Sequence, residues 1–261
     1  MSSPEDFNQS ADYVQSLHRG LEVIRAFNSE RPAMTLSELA ECTGLSRAVV
    51  RRLLLTLQYL GYVTSRGRLF SLSPRILELG FAYLGSLPVT ELAQPLMQAL
   101  SDRVGESCSL SVLDGFDIVY VQRVAVRKVM TVSLGAGARL PAFCASMGRV
   151  LLSGLADTEL DAWLAEAPIA SRTPYTVTEP ARLHEVIAGV RDQGYCYVEQ
   201  ELELGLCSLS VPVRDGSGRI AYALNIGLPY GEGVRERALA ELLPELTSTA
   251  EAIGRSLAAS H

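Results

Sequence analysis

The chain has 261 residues, 48% of them hydrophobic and 20% charged, which is enough apolar material for one or two cores and too little charge for a disordered chain. Its net charge of −6 is unevenly placed: nine arginines and no lysine against four glutamates make residues 13–75 +5, while residues 1–12 carry −3 and residues 76–261 carry −8. Such asymmetry suggests a compact basic domain attached to an acidic one, and it suits the basic part to a polyanion.

The polar arm 1–12, "MSSPEDFNQSAD", lacks the basic start and apolar stretch of a signal peptide, and no run of eighteen apolar residues follows. A cytoplasmic location without membrane contact is expected. Cys42, Cys108, Cys144, Cys196 and Cys207 form no CxxC pair and sit beside no histidine, so they read as buried thiols. No metal or cofactor is expected.

In "SLHRGLEVIRAFNS", Leu17, Leu21, Ile24 and Phe27 recur at helical spacing and could close a small core. "TLSELAECTG" follows, with Thr35 and Glu38 at the T-x-x-E spacing of a capping box and Gly44 suited to a left-handed helix end. Ser46 can cap the next helix, over Thr43–Leu60. On that helix Val49, Val50, Leu53, Leu54, Leu57 and Leu60 share one arc, and Arg47, Ala48, Arg51 and Arg52 share the other. Leu55 stands among the arginines without an obvious reason. Helix, glycine turn, helix is the helix-turn-helix arrangement. "GYVTSRGRLFSL" reads as a hairpin with Arg66 and Arg68 at its tip, which completes a winged helix-turn-helix over 13–75. An arginine-bearing amphipathic helix is commonly only a solvated face. Here the capping box, the turn, the wing and the local charge agree, and they point to DNA: Ser46, Arg47, Ala48, Arg51 and Arg52 in the major groove, Arg66 and Arg68 at phosphates or the minor groove.

A linker helix is expected over 76–88, with Pro88 at its boundary. Its Ile76, Leu77, Leu79, Phe81 and Leu84 are too apolar to stand alone, so they predict packing against a partner subunit. Thr90 can cap the helix after it. From 89 to 261 the pattern predicts an α+β domain: strands in "SCSLSVLDG", "FDIVYVQRVAV" and "VMTVSLGAG", a loop "ARLPAFCAS", and a helix from about Met147. Two more helices follow near Asp157–Ala165 and Pro180–Gln193, then strands in "YCYVEQE", "LCSLSVPVRD" and "RIAYALNIGLP", and a final helix over about Gly233–Ala258. Such a largely antiparallel sheet can hold a small ligand. The catalytic vocabulary is thin: no GxSxG, HExxH, Walker A or GxGxxG occurs, and Cys144 in "PAFCASMG" reads better as a pocket-lining thiol than as a nucleophile. No enzymatic activity is expected.

These stretches resemble the isocitrate-lyase-regulator (IclR) family of bacterial transcription factors. The carriers are "SLHRGLEVIRAF", "TLSELAECTGLSRAVVRRLLLTLQYLGYV", "GARLPAFCASMGRVLLSGL" and "GYCYVEQELELGLCSLSVPVRDGSGRIAYALNIGLP", with Leu140-Pro141, Gly148-Arg149 and the Glu201–Gly205 run specific in combination. The resemblance implies a winged helix on operator DNA, a C-terminal GAF-like domain that binds a small metabolite, and assembly into a homodimer or tetramer. The N-terminal stretches are most similar to the branch controlling aromatic-acid breakdown through the β-ketoadipate pathway, which implies a small carboxylate effector such as protocatechuate, 4-hydroxybenzoate or β-ketoadipate. Carried over by motif, the effector positions are Val132, Leu140, Ser146 and Met147 on one side and Glu199, Leu206, Ser208, Asn225 and Gly227 on the other. Relatives with cysteine at Ser208 and glycine or serine near Asn225 differ here, which leaves the ligand open. The amides of Ser146, Met147 and Gly148, at a helix start, could meet its carboxylate. The alternative reading is a small-molecule enzyme or sensor whose N-terminal domain pairs with protein instead of DNA.

Overall fold

The structure, a computed structural model, describes residues 7–126 and 135–259. The chain divides into two compact units between Tyr83 and Leu84.

Among the described residues, the first unit runs α1 (Gln15–Arg25), β1 (Ala33–Thr35), α2 (Leu36–Thr43), α3 (Arg47–Tyr59), β2 (Val63–Arg66) and β3 (Leu69–Leu72). Local chemistry sets the helix ends. The Thr35 amide donates to Glu38 Oε2 at 2.7 Å, and the Glu38 amide donates to Thr35 Oγ1 at 3.3 Å, so the capping box is closed both ways. Gly44 ends α2 at φ 66°, where a side chain would be strained, and the Ser46 hydroxyl accepts the Val49 amide at the start of α3. The three strands form an antiparallel sheet in the order β1-β3-β2, the first of which the sequence pattern did not suggest. Val23, Phe27, Met34, Leu39, Val50, Leu54, Leu57 and Val63 make the core. Leu17 and Leu21, expected in that core, are instead 62% and 41% exposed; α1 packs through Val23 and Ile24 near its C-terminal end, and Phe27 joins them just past the helix. A 3₁₀ turn (Pro74–Ile76) leads to α4 (Leu77–Leu84), on which Leu77, Leu79, Phe81 and Tyr83 are exposed.

The second unit opens with α5 (Pro88–Val104). Pro88 takes the first helical position and Leu87 precedes it, so Thr90 lies inside the helix and its hydroxyl donates to the Leu87 carbonyl at 2.8 Å instead of capping. The elements that follow are β4 (Cys108–Asp114), β5 (Asp117–Val124), β6 (Arg139–Pro141), α6 (Ser146–Leu152), α7 (Asp157–Glu166), α8 (Pro180–Gln193), β7 (Cys196–Glu199), β8 (Leu206–Arg214) and β9 (Ile220–Pro229). The chain closes with α9 (Val234–Arg237), a π-helical turn (Ala238–Leu242) and α10 (Leu243–Ala259). The π turn sits just ahead of Pro244, whose missing amide breaks the regular ladder.

The described strands of this unit form one antiparallel sheet in the order β6-β5-β4-β9-β8-β7. The expected strand "VMTVSLGAG" lies largely outside the described residues, and Arg139–Pro141, read from sequence as loop, pairs with β5. Side chains alternate across the sheet. Cys207, Leu209, Val211, Val213, Leu224, Ile226 and Leu228 face α5 and α10 in one core. The opposite face packs on α6, α7 and α8 through Ile118, Phe143, Val150, Leu160, Leu183 and Ile187. The alternate positions on this second face include small polar residues, and they floor a cavity.

Candidate functional site

On the first unit, α3 buries Val50, Leu54 and Leu57, which turns Arg47, Ala48, Arg51 and Arg52 outward. Arg47 and Arg51 are one turn apart, about 6 Å along the axis. Leu55 is exposed on the same helix. The β2–β3 turn, with Gly67 at φ 63°, holds Arg66 and Arg68 in solvent. Among the described residues, the ion pairs leave the side chains of these five arginines unengaged. A convex helix face and a hairpin tip that present uncompensated guanidinium groups can contact phosphates and base edges.

The second unit holds a cavity of about 1150 Å³ between the sheet and the segments leading into α6. Ser107, Ser109, Ser208, Asn225 and Gly227 floor it; Leu140, Cys144, Ala145, Ser146 and Met147 cover one side; Ser171, Arg172, Thr173 and residues 202–204 form another wall. Ser146, the first residue of α6, bridges Ser208 Oγ and Ser210 Oγ at 2.6 Å each, and Asn225 Nδ2 donates to Ser208 Oγ at 3.0 Å. The Asn225 Oδ1 atom is buried and has no hydrogen-bond partner among the described residues.

Leu140, Ser146, Met147, Leu206, Ser208, Asn225 and Gly227 therefore border one space. Two of the expected effector positions do not. Gly148 packs on the backbone of Ala142, where any side chain would overlap, and it does not line the cavity. Glu199 lies one residue past Val198, so strand alternation turns it to the opposite face, where Arg235 approaches at 4.0 Å. Val132 lies outside the described residues.

Two cationic residues of the cavity escaped the sequence reading. Arg123 on β5 points in beside Ser109, with Nη1 3.4 Å from its hydroxyl, because a bulge between Leu110 and Ser111 puts Tyr120 and Arg123 on the same side. Simple alternation would have separated them. Arg172 comes from a loop with no periodic signal, and its Nε donates to the Leu202 carbonyl at 3.4 Å. Neither arginine has a carboxylate partner among the described residues, whereas Glu106 at the cavity edge is paired with Arg237 at 2.9 Å. Burial raises the Tyr120 phenol to about 12 although Arg123 opposes it, so it is neutral and can donate. Burial also pushes the Cys144 thiol up to about 11, against the nearby Arg172 and Arg149 charges, which suits a lining thiol rather than a nucleophile. The described residues contain no cluster able to hold a metal. The cavity thus offers an anion two arginines with no carboxylate partner among the described residues, hydroxyl donors and apolar flanks, in a lining that also includes Glu106 and Glu203.

Two family models match this chain: the IclR helix-turn-helix domain over residues 16–67 and the bacterial transcriptional regulator IclR C-terminal domain over residues 81–255. The Pca regulon regulatory protein of Pseudomonas putida is 43% identical over 241 residues, 92% of this chain and 83% of that protein. The p-hydroxybenzoate hydroxylase transcriptional activator of Acinetobacter baylyi is 33% identical over 248 residues, 93% of this chain and 91% of that protein. A solved structure described as a transcriptional regulator of Rhodococcus sp. RHA1 matches with a TM-score of 0.86 and 48% identity, over 95% of this chain and 100% of that one. An IclR homologue from Microbacterium hydrocarbonoxydans, solved in complex with 4-hydroxybenzoate, matches with a TM-score of 0.81 and 25% identity, over 94% of this chain and 99% of that one.

Proposed function

The chain belongs to the IclR family of bacterial transcriptional regulators, and from that premise we propose that it switches genes of aromatic-acid breakdown in response to a small carboxylate. The names of its Pseudomonas and Acinetobacter relatives support the gene class, and the 4-hydroxybenzoate complex of the Microbacterium homologue supports the ligand class. The observation that carries the reading is the cavity, with Arg123 and Arg172 unpaired by any described carboxylate and Ser146, Ser208 and Asn225 between apolar walls.

Arg123 and Arg172 hold the carboxylate, the serine–asparagine group meets polar substituents, and Leu140, Met147 and Leu206 flank the apolar body. In the first unit Ser46, Arg47, Ala48, Arg51 and Arg52 enter the operator's major groove, and Arg66 and Arg68 hold the flanking backbone. The exposed apolar residues of α4 pair copies of the chain into a dimer or tetramer, which matches an inverted-repeat operator.

The test is operator binding by fluorescence anisotropy, using the DNA upstream of the chain's own gene, with and without 4-hydroxybenzoate, protocatechuate or β-ketoadipate. One of these should change the affinity or the footprint, and calorimetry should record its binding. A chain that binds the DNA and ignores all three would remove the effector assignment. Binding no DNA at all would remove the regulatory one.

A further inference from the structure

One wall of the cavity is made of two loops, residues 171–177 and 200–206, and both are tied to a single buried ion pair. Arg149 stands on α6, three residues beyond Ser146. Its guanidinium forks onto Glu201, with Nη1 to Oε1 at 2.6 Å and Nη2 to Oε2 at 2.7 Å. The same group donates from Nε to the Phe143 carbonyl at 2.8 Å, which anchors the turn that carries Cys144. Glu201 Oε2 accepts the Val177 amide at 3.0 Å, while the Thr173 and Thr176 hydroxyls donate to the carbonyls of Gln200 and Glu201 at 2.7 and 2.6 Å. The two charged side chains are only 3% and 11% exposed.

Fold stability alone is a poor reason for such a pair, because apolar residues of the same volume commonly serve a core as well or better. A second sign of constraint lies beside it. Gln200 sits at φ 56°, a left-handed conformation that a side chain resists and that persists only where the surroundings over-determine it. Between these anchors Ser171, Arg172 and residues 202–204 face the cavity, and Arg172 bonds across from one loop to the other at the Leu202 carbonyl.

We infer that Arg149 and Glu201 are positioning residues for effector binding: they lock the two loops together so that the Arg172 guanidinium stands where a ligand carboxylate arrives. Neither residue borders the cavity, so their effect passes through the loops. The inference rests on the proposed effector role of that cavity.

Full-length Glu201→Gln keeps the shape and removes the charge. With 4-hydroxybenzoate as the probe, calorimetry should show affinity weakened about tenfold or more, since a loosened support shell misplaces the group it holds. Amide exchange should quicken in residues 171–177 and 200–206, and ligand-free operator binding should be unchanged. An unpaired buried cation can unfold a chain, so the apolar double variant Arg149→Met/Glu201→Leu supplies a second, folded comparison and should show the same loss. A folded variant of either kind that binds 4-hydroxybenzoate as tightly as the wild type overturns the positioning role and leaves the effector reading intact. Weaker binding without faster exchange in the two loops also overturns it. If the wild type itself binds no 4-hydroxybenzoate, protocatechuate or β-ketoadipate, the effector reading falls and takes this inference with it.

Discussion

Ser146 and Ser208, 62 residues apart in sequence, share a hydroxyl contact of 2.6 Å that joins the first turn of α6 to strand β8 at the cavity floor. Ser210 meets the same Ser146 hydroxyl, and Asn225 donates to Ser208, so one small hydroxyl organises four polar side chains. Ser146→Leu would put an isobutyl group where that hydroxyl stands and reach into the cavity. The substitution should abolish the effect of carboxylates on operator binding, while ligand-free affinity stays within about twofold. Crowding and the orphaned hydroxyls should cost about 1–3 kcal/mol of stability. Calorimetry on the folded variant decides: unchanged carboxylate affinity would place the ligand elsewhere.

Arg51 and Arg66 should fail differently. Arg51 stands one turn into α3 on its exposed face, within the part of a recognition helix that meets base edges. Arg51→Ala should cost about 1–3 kcal/mol on operator and less on random DNA. Arg66, at the wing tip, should contribute without regard to sequence, so Arg66→Ala should weaken both kinds of binding and flatten the dependence of affinity on salt. Anisotropy titrations at several salt concentrations separate the two, and equal losses for Arg51→Ala on both DNAs would make it a phosphate contact.

Gly148 is a packing position. Any Cβ there would overlap the Ala142 backbone, and α6 would have to move away from the turn that precedes it. Gly148→Ala should therefore destabilise the second unit by about 3 kcal/mol, seen as a lower melting temperature. A variant that melts like the wild type but loses ligand binding would return Gly148 to the site.

The parts of this molecule that follow local rules were readable from sequence. Thr35, Glu38, Gly44 and Ser46 end their helices by chemistry that spans three or four residues, and the hairpin glycine at position 67 works the same way. What depends on distant packing was not. The spacing of Leu17 and Leu21 specifies a helix face, but not which end of it the domain covers. Likewise Arg123 enters the cavity only because a bulge shifts the face count along β5, and Arg172 because two loops are bonded together. Resemblance placed Glu199 in the site, yet it lies one residue out of phase with Val198, and a one-residue offset on a strand reverses the side.

The β8–β9 hairpin, whose strands carry Ser208, Ser210 and Asn225, is closed by Asp215, and its acid behaviour can be tested directly. The Ser217 hydroxyl donates to Asp215 Oδ1 at 2.6 Å and the Ser217 amide at 2.8 Å, while Arg219 bonds Oδ2 at 3.0 Å. These donors, the Ser217 hydroxyl foremost, favour the charged form and lower the carboxyl from its ordinary 3.8 to about 2. A depressed carboxyl stabilises the fold fully above its unfolded pKa and loses that contribution as pH falls through its folded one. The turn should thus hold its geometry at pH 4 and loosen between about pH 4 and pH 2. An NMR titration of the Asp215 carboxyl carbon should give a midpoint near the lower end of that window. Ser217→Ala should raise the midpoint further than Arg219→Ala does, because the hydroxyl makes the shorter bond, 2.6 Å against 3.0 Å, and the Arg219 side chain is largely solvated. A wild-type midpoint near 3.8 would mean that these hydrogen bonds do not persist in solution, and the hairpin would then owe its register to strand pairing alone.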